Sequence, residues 1–292
     1  MGIQPLPMLL SLLAAAAPLS EPQPMAEERF QQWLLESDLQ QLELGCGDPL
    51  ISASGGRRQQ IRDRLLVLHP APQSFERVMA NASALLTCGS PDSAARVLNR
   101  ISPAQGEERR LWLRLRWQAA ASALDHREAA LALRRLVNGD LIALADLDLG
   151  DGRLGLDQLV LHEAALGRQD EAVGLLLLAP NPQRLAQAAE WLAVRDDEAA
   201  DQLLEQALDQ VAAAQAWGLA VELLELQLKL QLAAGGDGAR PRQRLQRLAA
   251  QLDDRYSLWR LEGGVDLDRE LRSPRQPGGH AAVGDFPDPA SP

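Results

Sequence analysis

The sequence contains few of the residues that favour β-strands, and its positive charge is almost entirely arginine. Val, Ile and Thr together number only 17 of 292 residues, and Thr87 is the only threonine. Because β-branched residues are enriched in strands, this scarcity nearly excludes extended β-structure. Lys229 is the only lysine, and the net charge is -11. A general nucleic-acid binder needs a basic surface that displaces counterions from phosphates, so we expect no nucleic-acid partner.

Cysteine is also scarce, since only Cys46 and Cys88 are present. Their spacing fits no metal-binding pattern, and a zinc site built on them would lack half of its ligands. A chain of this length can bury a core without a disulfide, and sequence alone does not establish the Cα separation that a disulfide requires. We therefore expect two free, buried cysteines that act as small hydrophobic residues, while their pairing stays open.

The two ends of the chain differ in composition from the rest. Residues 8–19 form an apolar run of about a dozen residues, which is too short for a stable transmembrane span of about 20. Residues 1–24 resemble a signal peptide but lack its basic start, so a cleaved signal, an uncleaved anchor and a spurious extension before Met25 stay open. Residues 263–292 include a Pro/Gly-rich tail that we expect to be disordered. The expected location is cytoplasmic, or exported to the periplasm if residues 1–24 are a signal.

Between these ends, over residues 25–262, leucine and alanine recur with helical periodicity. Apolar residues are spaced by three and four, and clusters of Gly, Pro, Asp and Ser interrupt them every 12 to 20 residues. This pattern predicts about twelve amphipathic helices joined by short turns. Six leucines at matching positions are separated by a mean interval of 36 residues, the length of a two-helix repeat. They are Leu65, Leu98, Leu133, Leu176, Leu203 and Leu245.

Two of these copies carry a fuller pattern. Gly89, Ala94 and Pro103 recur as Gly167, Ala172 and Pro180. On these residues the chain resembles the tetratricopeptide-repeat superfamily over roughly residues 27–254, although most of the family's first-helix pattern is missing. The resemblance implies an all-α, right-handed α-solenoid of about six helical hairpins. It also implies that a protein or peptide partner binds in the concave groove, without identifying that partner.

Motifs for catalysis are incomplete throughout the chain. The glycine-rich string of residues 150–155 lacks the parallel sheet that a dinucleotide site needs, and His162 lacks the second histidine of a zinc protease. We therefore predict no catalytic residue, no cofactor and no metal ligand. The alternative is an all-α enzyme whose Asp196, Asp197 and Asp201 hold a metal ion and a diphosphate. Such an enzyme needs a second, facing aspartate cluster, for which Asp253 and Asp254 are the only candidates.

Candidate binding residues are basic or aromatic. Arg240, Arg244 and Arg247 share one helix face and could bind carboxylates or phosphates, although a solvated polar cap is the simpler interpretation. Trp117 and Trp191 lie in predicted first helices, where core packing is the simpler interpretation, and they are partner-binding candidates if they face the groove. Eight acidic residues between Asp140 and Glu171 form a further docking candidate for a basic partner. The predicted function is a non-catalytic adaptor, scaffold or assembly factor, with a structural role at the cell envelope as another alternative.

Overall fold

The computed structural model describes residues 24–69, 72–150 and 152–261. Over these residues the chain is all-α, as predicted, with fourteen α-helices against about twelve expected. The predicted N-terminal extension, apart from Pro24, and the predicted tail lie outside the described residues. The helices are α1 (Glu27–Glu36), α2 (Leu39–Gly47), α3 (Gly55–Val67), α4 (Phe75–Thr87), α5 (Pro91–Leu98), α6 (Glu107–Ser122), α7 (His126–Leu136), α8 (Gly155–Ala165), α9 (Gln169–Leu176), α10 (Pro182–Leu192), α11 (Asp197–Ala213), α12 (Trp217–Ala233), α13 (Ala239–Gln251) and α14 (Arg255–Leu261).

The chain folds into two compact units. Unit 1 ends at Gly139 and contains α1 to α7. Unit 2 begins at Asp140 and contains a short 3-10 helix (Leu141–Leu144) followed by α8 to α14. In both units, helices that are adjacent in sequence pack against each other as antiparallel hairpins, such as α4 with α5 and α10 with α11. The predicted repeat region thus contributes helices to both units.

The same turn ends several of these helices. After α4, Gly89 has a φ of +67°, and the N–H of Ser90 donates to the carbonyl of Leu85 at 2.8 Å. This geometry satisfies the last carbonyls of a helix and requires a left-handed residue. Equivalent turns follow α6, α8 and α11, at Leu124, Gly167 and Gln215. A buried alanine stands five residues after each turn residue, and these alanines are Ala94, Ala129, Ala172 and Ala220.

The leucines that define the predicted repeat lie on every second helix from α3 to α13. Five of the six are fully buried, on α3, α5, α7, α9 and α13. Leu203 on α11 is only half-buried, and its neighbour Leu204 occupies the core instead. The core position predicted at Leu203 is therefore shifted by one residue, because α11 packs through Ala200 and Leu204 while Leu203 lies at the edge of the core.

A disulfide joins α2 to the end of α4 in unit 1. Cys46 and Cys88 are both buried and bonded, with Cα atoms 5.1 Å apart. The expectation of free cysteines is wrong, because α2 and α4 pack together and bring two residues 42 positions apart into bonding distance. Arg62 of α3 reinforces this end, since its guanidinium donates to the carbonyl oxygen of Cys88 at 2.6 and 2.9 Å.

One apolar core cluster of unit 2 is shared by α10, α11, α12 and α13. Its buried members include Leu185, Leu204, Leu208, Leu224 and Leu245. Each of these helices also contacts the next one in sequence. Because one leucine-rich face of each helix enters this core, the opposite faces of α11 and α12 remain available to polar side chains.

Candidate functional site

A shallow groove separates the outer faces of α4 and α6 in unit 1. It has a volume of about 480 Å³ and is lined mainly by apolar side chains of the two helices. Phe75 and Met79 lie four residues apart on α4, and Leu111 and Leu115 lie four residues apart on α6. Four residues make about one helical turn, so each pair forms a short ridge along its helix. Leu111 is 44% exposed and the other three are half-buried, so this apolar surface is accessible.

Polar groups border the groove at the first turn of α4. Ser74 caps this helix, because its hydroxyl oxygen accepts a hydrogen bond from the N–H of Arg77 at 3.4 Å. Glu76, which follows Ser74 by two residues, lines the groove, as does Arg114 of α6. Hydrogen bonds to the Glu76 carboxylate, first from its own backbone N–H and then from Ser74, lower the pKa of Glu76. The groove therefore combines an apolar floor with a carboxylate that stays ionised below its usual range.

None of the four apolar groove residues was among those predicted from the sequence. Helices α4 and α6 each carry a buried stripe that accounts for their main periodicity, with Val78 and Leu85 on α4 and Leu113 and Trp117 on α6. Phe75, Met79, Leu111 and Leu115 form a second, outward stripe on the same helices. This surplus of apolar residues beyond the width of one core face is the signal that could have identified the groove.

The two predicted tryptophan candidates are not part of this groove. Trp117 is 1% exposed and lies in the core of unit 1. Trp191 lies on α10 of unit 2 and is half-buried. Neither residue lines the groove or the cavity described below, so the partner-binding interpretation of these two side chains gains no support from their positions.

The predicted arginine stripe on α13 is largely engaged within unit 2. Arg244 Nη1 donates to Oε1 and Oε2 of Glu205 on α11 at 2.7 and 2.9 Å. Arg240 forms ion pairs with Glu205 at 3.1 Å and Asp201 at 3.7 Å. Arg247 is exposed, and the described residues provide no ion-pair partner for it. Two of the three arginines thus link α13 to α11, a partnership that the sequence pattern does not reveal.

The aspartates of the enzyme alternative have separate roles. Asp196 caps α11, since its Oδ1 accepts a hydrogen bond from the N–H of Ala199 at 2.9 Å. Asp197 and Asp201 line a cavity in unit 2. Asp254 accepts hydrogen bonds from the Ser257 hydroxyl at 2.6 Å and the Ser257 N–H at 3.1 Å, which lower the pKa of Asp254. Neither Asp253 nor Asp254 lines that cavity, and no three potential metal ligands converge within the described ranges.

The acidic stretch from Asp140 to Glu171 is partly neutralised inside unit 2. Asp157 accepts a hydrogen bond from the buried Arg184 at 2.7 Å. Glu163 is buried beside His162 and pairs with Arg168 at 3.1 Å. Asp170 pairs with Arg195. This stretch therefore provides fewer unpaired charges for a basic partner than its composition indicates.

Gly150 and Gly152 of the glycine-rich string lie in the segment that precedes α8. A bridge joins Asp148 and Leu154, and the N–H of Gly155 donates to the carbonyl of Leu147 at 2.8 Å. Gly155 packs so closely against Leu144 that an added Cβ would lie 2.9 Å from its side chain. This close approach gives that glycine a packing role at the start of α8.

No protein-family model matches the sequence, and no curated protein matches it either. None of the helices in the described ranges combines the length and the apolar character needed to cross a membrane.

Proposed function

We propose that this protein is a non-catalytic helical-repeat adaptor that binds a peptide segment of a partner protein in the groove between α4 and α6. The observation that carries the proposal is the exposed apolar stripe of Phe75, Met79, Leu111 and Leu115. When a partner covers an apolar surface that is open to water, the free energy falls by about 25 cal/mol per Å² of buried area, which favours binding. We expect the bound segment to present two apolar side chains about one helical turn apart, which matches the spacing of each ridge.

The repeated turns support the helical-repeat part of the proposal. Gly89, Leu124, Gly167 and Gln215 have the same left-handed conformation at equivalent positions, and a buried alanine follows each of them after five residues. A small residue at this point allows the two helices of a hairpin to approach closely. Hairpins that repeat this geometry and pack on their neighbours are the building units of α-solenoids, which bind partners on extended surfaces.

Paired substitutions test the groove. Leu111→Gln and Leu115→Gln, combined in one protein, should weaken binding of the partner at least about tenfold, because burial of even one leucine contributes about 1.5–3 kcal/mol. Leu35→Gln and Leu44→Gln form the matched control, since these leucines of unit 1 are more exposed and lie outside the groove. Tagged versions of each protein, expressed at native levels, are purified with their partners and compared quantitatively.

The result expected is a partner that co-purifies with the unsubstituted protein and the control but not with the groove variant. Equal recovery by all three proteins, or equal loss in both variants, would refute binding through this groove. Circular dichroism and thermal unfolding of each variant establish that the fold is retained, so loss of binding is not confused with unfolding.

The disulfide supports the exported alternative for location. Disulfides persist in oxidising compartments and are rare where cytosolic thiols are kept reduced. The Cys46–Cys88 bond lies in a buried, well-packed site, so it is structural in character. Acid quenching of intact cells, followed by labelling of free thiols, measures its state directly. We expect unlabelled protein until a reductant is added; protein that is fully labelled without reductant would favour the cytoplasm.

A further inference from the structure

A second cavity lies in unit 2, between the first turns of α11, the last turns of α12 and the turn that leads into α13. Its volume is about 640 Å³, which is within the range of natural ligand sites. Leu204 and Leu230 provide apolar surface on its walls. The carboxylates of Asp197, Glu198 and Asp237 surround these walls on exposed residues. The cavity thus offers an apolar lining with acidic groups around it.

Gln227 lines this cavity and has an unsatisfied polar atom. Its side chain is fully buried, and its Nε2 donates to Asp201 at 2.7 Å and to Glu205 at 2.6 Å. The opposite amide orientation would place a carbonyl oxygen against two carboxylates, so hydrogen-bonding chemistry fixes the assignment. Gln227 Oε1 is then a buried acceptor for which the described residues supply no donor. Leaving a buried acceptor unpaired is costly, which points to a donor that comes from a ligand.

The charge around the cavity is negative. Asp201 accepts a hydrogen bond from Gln231 and forms an ion pair with Arg240. Glu205 forms ion pairs with Arg240 and Arg244. Asp197 and Glu198 have no side-chain partner among the described residues, and none of the residues that line the cavity is basic. A ligand that fits must therefore carry positive charge and several N–H donors, together with an apolar portion that covers the leucines.

We propose that this cavity binds an arginine side chain from a basic peptide segment of a partner protein. The guanidinium group carries five N–H donors in a planar fork, which can satisfy Gln227 Oε1 and the nearby carboxylates together. Its methylene groups cover Leu204 and Leu230. A metal ion fits less well, since the described carboxylates form no cluster of three potential ligands. This proposal goes beyond the groove of unit 1 and depends on different residues.

Fluorescence anisotropy with labelled peptides tests the proposal. The probe is a short Gly/Ser peptide containing Leu-Arg-Leu, and its control replaces arginine with citrulline, which has nearly the same shape but no charge. We expect the arginine peptide to bind at least about tenfold more tightly than the citrulline peptide, as one or two charge-assisted hydrogen bonds require. Equal affinity for the two peptides would overturn the proposal.

Substitutions in the protein test whether the arginine peptide binds in this cavity. Glu198→Gln combined with Asp237→Asn should weaken binding of the arginine peptide about tenfold. Asp209→Asn combined with Glu222→Gln removes the same charge from exposed residues of α11 and α12 that do not line the cavity, and should change affinity less than twofold. Equal losses in the two variants would show a non-specific charge effect and contradict the proposal.

Further measurements distinguish the ligand classes. Binding of the arginine peptide should shift the side-chain amide resonances of Gln227, whereas unchanged resonances would contradict contact with this residue. Displacement of the peptide by an equal concentration of Ca²⁺ or spermidine would overturn the choice of an arginine side chain in favour of a simple cation. The groove variant of Leu111 and Leu115 should bind this peptide normally, which separates failure here from failure of the proposed function.

Discussion

The two units are built from similar helical hairpins, but different interactions connect the helices inside each unit. In unit 1, a disulfide connects α2 and α4, and the exposed groove between α4 and α6 is apolar. In unit 2, α11, α12 and α13 are connected by the side chains of Glu205, Gln227 and Arg244, and the cavity beside them is acidic. Hairpins with the same turn geometry can thus present surfaces of opposite chemistry.

This difference indicates that the turn geometry constrains the backbone of the hairpins but not the chemistry of their exposed faces. The geometry common to these turns depends on one left-handed residue and one small residue in each hairpin. The exposed faces of α4, α6, α11 and α12 are free of that requirement, so their side chains can specialise. The apolar segment proposed as the ligand of unit 1 and the basic segment proposed for unit 2 are both compatible with this architecture.

The largest effect should come from removing the covalent link of unit 1. Replacing Cys46 and Cys88 with alanine releases a constraint between residues 42 positions apart, which should destabilise unit 1 by about 2–4 kcal/mol. Hydrogen exchange measured by mass spectrometry resolves the two units. We expect faster exchange in α2 to α4 and unchanged exchange in α11 to α13. Equal acceleration in both units would mean that the disulfide does not act on unit 1 alone.

Packing inside unit 1 is tested at Gly45. A Cβ at this position would overlap the indole ring of Trp33, so Gly45→Ala should destabilise the protein by about 1–3 kcal/mol. Gly47→Ala on the same helix is the control, because a Cβ there meets nothing within 4 Å. The midpoints of urea unfolding compare the two variants. A loss of stability at Gly47 as large as that at Gly45 would contradict the packing explanation.

The polar connection in unit 2 is tested at Arg244. Arg244→Ala removes both hydrogen bonds to the partly buried Glu205 and should destabilise unit 2 by about 1 kcal/mol. Arg247→Ala on the same helix should change stability by less than about 0.5 kcal/mol, since this arginine is exposed. Urea unfolding at low and high salt measures both variants. If they behave alike, the ion pair contributes little and unit 2 depends on its apolar core alone.

The smallest effect concerns the type of helix-ending turn that occurs in both units. Leu124→Gly in unit 1 and Gln215→Gly in unit 2 relieve a left-handed conformation that costs non-glycine residues about 1–2 kcal/mol. After the greater flexibility of unfolded glycine is subtracted, each should stabilise the protein by about 0.5 kcal/mol. The controls, Ala123→Gly and Ala214→Gly, precede the turn with negative φ and should destabilise it. Thermal unfolding that showed opposite signs in the two units would contradict a common turn.

Much of the fold could be predicted because its signals are local. Gly89 and Gly167 identify helix ends directly, and the leucine interval identifies the helices that follow. Leu124 and Gln215 have the same conformation without glycine, so the sequence does not mark the left-handed residue itself at these two turns. The one-residue error on α11 has a similar cause, because Leu203 and Leu204 are equally apolar and only tertiary packing selects between them.

The candidate sites depend on contacts between distant residues and were less predictable. Pairing of Cys46 with Cys88 requires the packing of α2 on α4. Arg244 looks like part of a free basic stripe until α13 packs beside α11 and brings Glu205 within 2.7 Å. The aspartates at 197 and 201 mark one wall of the cavity around Gln227 in the sequence, but the rest of this cavity forms only when α12 packs beside α11. The surplus apolar residues of α4 and α6 form a second stripe in the sequence, although they were not predicted as a site.

Site-specific photo-crosslinking tests the central claim, that the groove between α4 and α6 binds a partner. A photo-reactive phenylalanine analogue is placed at position 111 in the groove and, in a separate protein, at the exposed position 44 outside it. After irradiation in the native cell, we predict one dominant crosslinked partner at position 111 that is absent at position 44, with the crosslink on an apolar segment. Failure to crosslink at position 111, or the same products at both positions, would contradict the account.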